Sequence, residues 1–316
     1  NKVSKILKIQ NSSRSVSLNA GALESSHDLI WFLHLDSDIN EITIEHFNEI
    51  NEDKINTFKL MFDDQKLEIN SKGANFRTKY FGLPFGDQSF LIHKKIFYLI
   101  GRFGEILNIG EDHEFIWKAK QIGIKVKLIN ANIYTSGSKY EFNRFIQTIK
   151  TIKNTFIQIF KFARLKKKYV VCYFLKDPKS TKSKSRLRED LPNEFVNEIN
   201  ESLLEIITSS IKEIKKHKNI FQIIVCPNSQ KNYGINFSKI SDGLMITSQE
   251  ELGKSMREVL ELNLKFFKKV VLVGADIPLL NSKDIVESLK IKNAKTVFYP
   301  TNDGGFCLLA VTDQSL

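Results

Sequence analysis

The sequence predicts an α/β protein with mainly parallel sheets, and two observations lead to this fold class. Short apolar runs bounded by polar or turn residues recur at residues 29–35, 125–129, 169–175, 221–226, 270–274 and 296–299. Runs of this length and composition are typical of buried strands. Helical patterns lie between several of them, and strands that alternate with helices indicate helical layers on mainly parallel sheets.

Two stretches carry clear helical spacing. One has apolar residues at steps of three and four: Phe195, Ile199, Leu203, Ile206, Ile207, Ile211 and Ile214. The other, residues 140–168, predicts a long, basic, amphipathic helix that ends where the next strand begins. Its ordinary interpretation is a surface helix packed on its own domain. The alternative is a helix lying on a membrane surface with its lysines toward anionic lipid.

The length and composition predict two domains, which we place at residues 1–167 and 168–316. The chain has 316 residues, of which 42% are hydrophobic, so it can bury two cores. Its net charge of +11 is compatible with phosphorylated small molecules, nucleic acid or anionic membrane and does not choose among them. The basic residues do not alternate with aromatic residues as in stacking platforms, so no nucleic-acid partner is expected.

The cysteines and the apolar runs predict a cytoplasmic protein, with the inner membrane face as a peripheral alternative. Cys172, Cys226 and Cys307 each lie in an apolar run without a second cysteine at metal-ligand spacing, so we expect reduced core residues. No apolar segment approaches the roughly 20 residues that cross a bilayer. The chain begins with Asn1 and ends just after a strand-like run, so we expect both domains to be truncated.

The segment FLHLDSD, residues 32–38, predicts a candidate site in the first half. A buried strand delivers the side chains that follow it to the carboxyl edge of the sheet, where ligands bind in open α/β folds. If the strand persists, His34, Asp36 and Asp38 point to one side and could hold a divalent cation. Alternatively, the two aspartates cap a following helix.

The first half resembles inverting family-2 glycosyltransferases, and within them the radical-SAM/selenodomain-associated transferase 2 group. The stretch NSSRSVSLNAGALESSHDLIWFLHLDSDI resembles that superfamily's R-x-x-x-x-N-x-G segment and its strand ending in D-x-D. This resemblance implies that Asp36 takes the second acidic position and His34 the first, and it makes Arg14 and Asn19 candidates for nucleotide binding. The superfamily's opening strand is not found before this segment.

The same resemblance continues into residues 82–112. GLPFGDQSF resembles the group's G-x-P-Y-G-D-Q, which implies that Asp87 and Gln88 line an acceptor pocket. Glu111-Asp112 resembles the acidic pair of the superfamily, whose second acid is the general base, so the resemblance makes this pair catalytic. A carboxylate near the anomeric carbon can take a proton as the new bond forms. An aspartate at a helix start is also an ordinary cap.

The second half carries a basic loop between a strand and a helix, YVVCYFLKDPKSTKSKSRLR. Such a loop can cradle phosphate, although a solvated linker is the ordinary interpretation. The loop resembles the radical-SAM/selenodomain-associated transferase 1 family, which is similar to nucleotidyltransferases of the molybdenum-cofactor guanylyltransferase kind. Lys176, Lys184 and Arg186 are in register with that family's K-x-P-x-P-G-x-V-K-T-R-L, and Ser180-Thr181 replaces its Pro-Gly.

Two further motifs extend this second resemblance. VVLVGADIPLL implies that Asp276 holds Mg²⁺, and FYPTNDGGFCLLAV implies that Asp303, Gly304 and Gly305 lie beside the ligand. Asp-Gly is also an ordinary hairpin turn.

Together the resemblances imply two GT-A-like (Rossmann-like) domains, a Mg²⁺ or Mn²⁺ cofactor and a glycosyltransferase fused to a nucleotidyltransferase-like domain. The expected ligands are a nucleotide-sugar or nucleoside triphosphate and a small-molecule or lipid acceptor. The alternative is a non-catalytic nucleotide-binding or scaffold protein with degenerate sites.

Overall fold

The computed structural model describes residues 5–10, 12–105, 110–137, 149, 153, 155–157, 165–180 and 183–312. The chain divides into two compact units, Asn1–Arg164 and Leu165–Leu316, and each contains its own sheet.

The first unit is built on a four-stranded sheet in the order β1-β3-β2-β4. Strand β3 is antiparallel to both neighbours, while β2 and β4 are parallel, so all strands except β3 run in one direction. The strands are β1 (Leu29–Phe32), β2 (Ile55–Phe62), β3 (Phe90–His93) and β4 (Val126–Thr135). The helices are α1 (Arg14–Glu24), α2 (Ile44–Phe47), α3 (Glu68–Phe81), α4 (Lys94–Ile100) and α5 (Glu111–Gln121).

Strand β2 lies inside this sheet although its sequence was not among the predicted strands. Two polar residues, Asn56 and Thr57, interrupt its apolar run, yet both are fully buried. The Asn56 amide donates to the Leu91 carbonyl oxygen at 3.1 Å, and the Thr57 hydroxyl donates to that of Ser89 at 2.8 Å. Burial is tolerated because both polar groups have hydrogen-bond partners. Neighbouring Phe58 and Leu60 join the core.

The second unit is built on a six-stranded sheet in the order β7-β6-β5-β8-β10-β9. The first four strands are parallel, and β10 is antiparallel to both β8 and β9. The strands are β5 (Tyr169–Phe174), β6 (Ile220–Pro227), β7 (Gly243–Thr247), β8 (Lys269–Gly274), β9 (Thr296–Pro300) and β10 (Phe306–Thr312). The helices are α6 (Ser185–Asp190), α7 (Asn193–Ile214), α8 (Lys231–Phe237), α9 (Leu252–Asn263) and α10 (Ser282–Lys290).

The predicted fold class is confirmed: the protein is α/β, with two sheets in which all strands but one run in the same direction. The helix predicted from the spacing of residues 195–214 is α7. The helix expected over residues 140–168 lies largely outside the described residues, of which 149, 153 and 155–157 are helical. Within the described part of the chain, no helix has the length and apolar character needed to cross a membrane.

Two of the cysteines behave as core residues. Cys172 and Cys226 are buried and unpaired, and Cys307 is half-buried and also unpaired. Burial raises the pKa of the Cys226 thiol to about 12 and that of Cys172 well above its ordinary value. Both thiols are therefore protonated at neutral pH and unsuited to nucleophilic chemistry.

Candidate functional sites

The segment after β1 turns away from the sheet sooner than its sequence suggests. The strand ends at Phe32, and the Ser37 N–H donates to the His34 carbonyl oxygen at 3.2 Å, which closes a turn. His34, Asp36 and Asp38 therefore do not continue the alternation of a strand, in which every second side chain shares a face.

The two aspartates of this turn have different surroundings. Asp36 is exposed, and the Thr135 hydroxyl lies at hydrogen-bond distance, 3.4 Å, from its Oδ2. Asp38 forms a backbone bridge with Tyr134, and its Oδ1 accepts from the Asn40 N–H at 2.9 Å. Asp38 is thus an ordinary turn residue, whereas Asp36 presents a carboxylate to solvent just beyond the strand.

Arg14 is the centre of a polar cluster in the first unit. It begins α1, whose N-cap Ser13 accepts from the Val16 N–H. Its Nη2 contacts Nε2 of His34, and its Nε lies 3.2 Å from Oε1 of Glu111. Glu111 is 4% exposed. Its Oε1 forms an ion pair with Arg14, but the geometry does not meet the criteria of a hydrogen bond. A buried carboxylate of this kind requires a cation beside it, which Arg14 supplies.

Asp112, the expected base, is held by backbone donors on both oxygens. Its Oδ2 accepts from the Gly86 N–H at 2.7 Å, and its Oδ1 accepts from the His113 N–H at 2.8 Å. The Phe85 ring stacks on the His113 ring with centroids 3.9 Å apart. The Arg77 guanidinium lies 3.4 Å from the centroid of the Phe85 ring. Sequence reasoning missed this stack because Arg77 and His113 lie outside the motif that contains Phe85, and only the fold brings the three side chains together.

His34 and its neighbours enclose a cavity of about 10 Å³. That volume holds about one water molecule. Burial lowers the pKa of His34, and Arg14 lowers it further, against the opposing effects of Asp87, Asp36 and Asp112. The nearest of these carboxylates, Asp87 Oδ1, lies 3.9 Å from His34 Nδ1. The neutral imidazole is favoured, so His34 can accept a hydrogen bond from the guanidinium.

Two other expected ligand residues are instead buried and hydrogen-bonded within the unit. The Asn19 amide donates to the Phe103 carbonyl oxygen at 2.9 Å and accepts from the Phe103 N–H at 3.1 Å. Gln88 is fully buried, accepts from the Thr78 hydroxyl at 2.7 Å and donates to the Phe58 carbonyl oxygen at 3.1 Å. Both side chains fix the loops that carry the site, and neither is presented to a ligand.

The second unit contains a larger cavity, of about 490 Å³, at the carboxyl ends of β5, β6, β7 and β8. This volume is typical of small-molecule sites, which favour this edge of a parallel sheet. Lys176, Lys184 and Asp276, all expected from the sequence, line it. Its other polar lining residues, which sequence reasoning missed, are Ser183, Asn200, Gln230, Thr247, Glu250 and Ser255. Their signal is weak because each belongs to an ordinary helix or loop sequence.

Lys184 and Asp276 meet at this cavity. Lys184 Nζ lies 3.5 Å from Asp276 Oδ2, and the lysine side chain is 18% exposed against 66% for the aspartate. Lys184 has φ 50° and ψ 46°, the left-handed conformation. That conformation costs a non-glycine residue about 1–2 kcal/mol. Strain of this kind is concentrated at functional sites, and here it places the lysine at the cavity.

Asp303 belongs to the turn between β9 and β10. Its Oδ1 accepts from the Thr301 hydroxyl and from the Gly305 N–H, and Gly304 has φ 84°. The hydrogen bond from Thr301 lowers the pKa of Asp303 most, and the one from Gly305 is the next largest cause. The positive charge of Arg186 lowers this pKa further. The hairpin turn and the basic loop therefore lie within electrostatic reach of each other.

Arg188 fixes the basic loop. Its guanidinium donates to the carbonyl oxygens of Ser183 and Pro178 at 2.9 and 3.0 Å. It also donates to the side-chain oxygens of Asn193 and Asn197 at 2.8 and 2.9 Å. Arg188 thus ties Pro178 and Ser183, on the two sides of the loop, to the start of α7. Arg186, by contrast, is exposed and remains available to an anion.

The carboxylates of Asp36 and Asp276 could each hold a divalent ion that is also bound by a phosphate group of the ligand. Among the described residues, no three His, Cys, Asp or Glu side chains converge to form a complete metal cage. Mg²⁺ is usually bound through one or two carboxylates plus substrate phosphates. The exposed carboxylates of Asp36 and Asp276 match that mode. His34 and Asp38, turned to Arg14 and Asn40, do not converge with Asp36.

Comparison with known proteins gives three similarities. Residues 213–316 match the model of a family described as "Uncharacterized protein conserved in bacteria (DUF2064)". The chain is similar to a crystal structure assigned to a nucleotide-diphospho-sugar transferase from Desulfovibrio desulfuricans G20, with 18% identity and a TM-score of 0.42. That similarity covers 48% of this chain and 65% of the other, less than two thirds of its length.

A second solved structure is 4-diphosphocytidyl-2C-methyl-D-erythritol synthase from Anaerococcus prevotii DSM 20548, with 10% identity and a TM-score of 0.29. It covers 47% of this chain and 71% of that protein. None of the curated proteins compared with the chain matches it.

Proposed function

We propose that the protein is a nucleotide-dependent transferase. Its second unit would bind a nucleoside triphosphate or nucleotide-sugar, and its first would transfer a glycosyl group to a small-molecule or lipid acceptor. The observation that carries this proposal is the cavity of about 490 Å³ in the second unit, where Lys184 lies 3.5 Å from Asp276. A cation and an exposed carboxylate at the ends of parallel strands suit a phosphate group that arrives with a divalent ion.

In the second unit, cationic residues would bind the phosphates. Lys176 and Lys184 line the cavity and supply point charges, and Arg186 can make a paired contact with phosphate oxygens. Asp303, with Gly304 and Gly305, forms the tight turn near Arg186. The reaction we assign here is attack of a sugar-phosphate oxygen on the α-phosphorus of a nucleoside triphosphate, with pyrophosphate as the leaving group.

In the first unit, Asp112 would act as the base, taking the proton of the acceptor hydroxyl as the glycosyl bond forms. Its two backbone hydrogen bonds fix the carboxylate in place before substrate binds. Arg14, held by buried Glu111, is a positive charge suited to a leaving diphosphate. Asp87, near His34, is the remaining expected acceptor contact.

A divalent ion, Mg²⁺ or Mn²⁺, belongs to this proposal, with Asp36 and Asp276 as the residues that would hold it. When bound, such an ion neutralises the charge that builds up on a leaving phosphate group. Contact of residues 140–168 with anionic lipid, which would suit a lipid acceptor, is also part of the proposal.

Calorimetry on the full chain tests the function directly. Nucleoside triphosphates and UDP-, GDP- and ADP-sugars are titrated with Mg²⁺ or Mn²⁺, and pyrophosphate release is followed with sugar phosphates present. We expect Asp276→Asn to weaken binding about tenfold or more, because the ion loses its carboxylate. Glu287→Gln, on exposed α10 and outside the cavity lining, is the matched control and should bind normally.

Two outcomes contradict the proposal. Binding without pyrophosphate release or glycosyl transfer would identify a nucleotide-binding module that does not catalyse. Absence of binding, in a preparation shown to be folded by circular dichroism, would reject nucleotides as ligands of this protein.

A further inference from the structure

Helix α3 presents an apolar face to solvent on the first unit. Ile69, Phe76 and Tyr80 are 83%, 56% and 63% exposed. They are spaced by seven and four residues, which places them on one side of the helix. The opposite side, with Ser71 and Ala74, is buried against the sheet. We call Ile69, Phe76 and Tyr80 the α3 face.

The aromatic rings of this face are already packed on one another. The Phe76 and Tyr80 centroids are 4.5 Å apart, and the half-exposed Phe81 ring lies 6.2 Å from Phe76. Gly73, between Ile69 and Phe76 along the helix, has open space where a side chain would project. The face is therefore a small exposed apolar stripe, in which an aromatic cluster lies two helical turns from Ile69.

The charges beside the stripe indicate the kind of partner. Lys79 Nζ lies 5.5 Å from the Tyr80 ring centroid, and exposed Lys72, paired with Glu68, lies on the same flank. Aromatic residues with lysines at their edge are typical of helices that lie in the membrane interface, where lysines meet anionic headgroups. The net charge of +11 is compatible with the same surface.

The size of the stripe favours lipid over a second copy of the chain. Fourteen residues of helix are about 21 Å long, and a stripe about 10 Å wide covers roughly 200 Å². A standard protein interface buries roughly 800 Å² on each partner. We propose that the α3 face docks on an anionic lipid bilayer, inserting its aromatic rings at the headgroup boundary. This docking is independent of residues 140–168 and of any catalytic activity.

Cosedimentation of the full chain with vesicles tests this docking. Vesicles of phosphatidylcholine alone are compared with vesicles that also contain phosphatidylglycerol. We expect the wild type to bind the anionic vesicles, and Phe76→Ser/Tyr80→Ser to lower its partition coefficient about tenfold. Lys79→Gln should lower it about fivefold for the anionic vesicles alone. Ile69→Ser, a single change at an 83% exposed position, serves if the double variant folds poorly.

The matched control is Phe298→Ser, which removes a ring that is 61% exposed on β9 of the second unit and should leave binding unchanged. Wild type that binds neither vesicle would overturn the proposal. So would unchanged binding of both α3 variants, which would leave residues 140–168 as the membrane contact. A concentration-dependent dimer that the α3 variants abolish would assign the face to a second copy.

Discussion

At the scale of single residues, the first site depends on how closely Arg14, His34 and Asp112 approach the backbone at Gly86. A methyl group at this glycine would lie 2.7 Å from Arg14 Nη2 and 3.2 Å from both His34 Nε2 and Asp112 Oδ2. A methyl group at this position would therefore displace the Arg14 guanidinium and crowd the His34 imidazole and the Asp112 carboxylate.

Replacing Gly86 by alanine should therefore destabilise the first unit. We expect a loss of about 1 kcal/mol or less in the free energy of unfolding, because the Arg14 guanidinium, the end of a flexible side chain, must move away from the loop. Gly21→Ala is the control: it lies inside α1 with open space around it, and alanine there should stabilise by about 0.5–1 kcal/mol. Urea unfolding measures both. Equal effects of the two substitutions would contradict the close packing.

The titration of His34 gives a second prediction at this scale. Arg14→Gln removes one of the causes that lower the His34 pKa, so the pKa should rise, as measured by NMR of the imidazole protons. The pKa of His34 is lower in the folded protein than in the unfolded chain. His34 therefore makes its full contribution to stability when the pH is above its pKa in the unfolded chain. This contribution is lost as the pH falls through its pKa in the folded protein. An unchanged or lower pKa in the variant would contradict the assigned contact.

At the scale of elements, the continuous apolar runs and helix α7 could be predicted from the sequence, whereas strands β2 and β7 could not. The runs at 169–175, 221–226 and 270–274 are continuous because β5, β6 and β8 are covered on both faces. Strand β2 escaped because Asn56 and Thr57 are buried through hydrogen bonds that no sequence pattern reveals. Two separate motifs of the second half, each through a family resemblance, named Lys184 and Asp276, and the pairing of β5 with β8 brings the segments after these strands together.

The same limit applies to individual site residues. Gln88 carries a motif yet is buried, because its partners Thr78 and Phe58 come from α3 and β2, elements distant in sequence. Arg188, which fixes the loop, looks like one more basic residue in a basic run. The local sequence pattern shows that a polar side chain lies near the end of a strand. Contacts with other elements decide whether that side chain points into the core or towards the site.

The two arginines of α6 provide a test at this scale. Arg188→Ala should lower the free energy of unfolding by about 1–3 kcal/mol, because the Ser183 carbonyl loses its guanidinium donor and the Pro178 carbonyl keeps only the Asn200 amide, and should speed hydrogen exchange in residues 177, 179 and 180. Arg186→Ala, its exposed neighbour, should leave stability within about 0.5 kcal/mol and weaken nucleotide binding instead. Urea unfolding and calorimetry separate the two effects. Reversed roles would contradict the assignment of the loop.

At the scale of the whole molecule, the two units share an arrangement. Each sheet contains three neighbouring strands, of which the middle one is antiparallel to the other two: β1-β3-β2 in one unit and β8-β10-β9 in the other. In both sets the first strand is followed by a segment that contains an aspartate. Asp36 follows the first strand of one set and Asp276 that of the other. The turns at Gly86–Gln88 and Thr301–Gly305 each precede the antiparallel strand. The same sheet geometry thus presents acidic residues at corresponding places in both units.

The nucleotide site of the second unit is the central claim, and metal-dependent calorimetry on the full chain tests it most directly. Nucleoside triphosphates are titrated into wild type, Asp276→Asn and Lys184→Gln, each with Mg²⁺ and with EDTA. We predict that wild type binds more tightly with Mg²⁺, that Asp276→Asn loses this difference, and that Lys184→Gln weakens binding about tenfold in both conditions. Equal affinity of all three proteins with and without Mg²⁺ would contradict the claim.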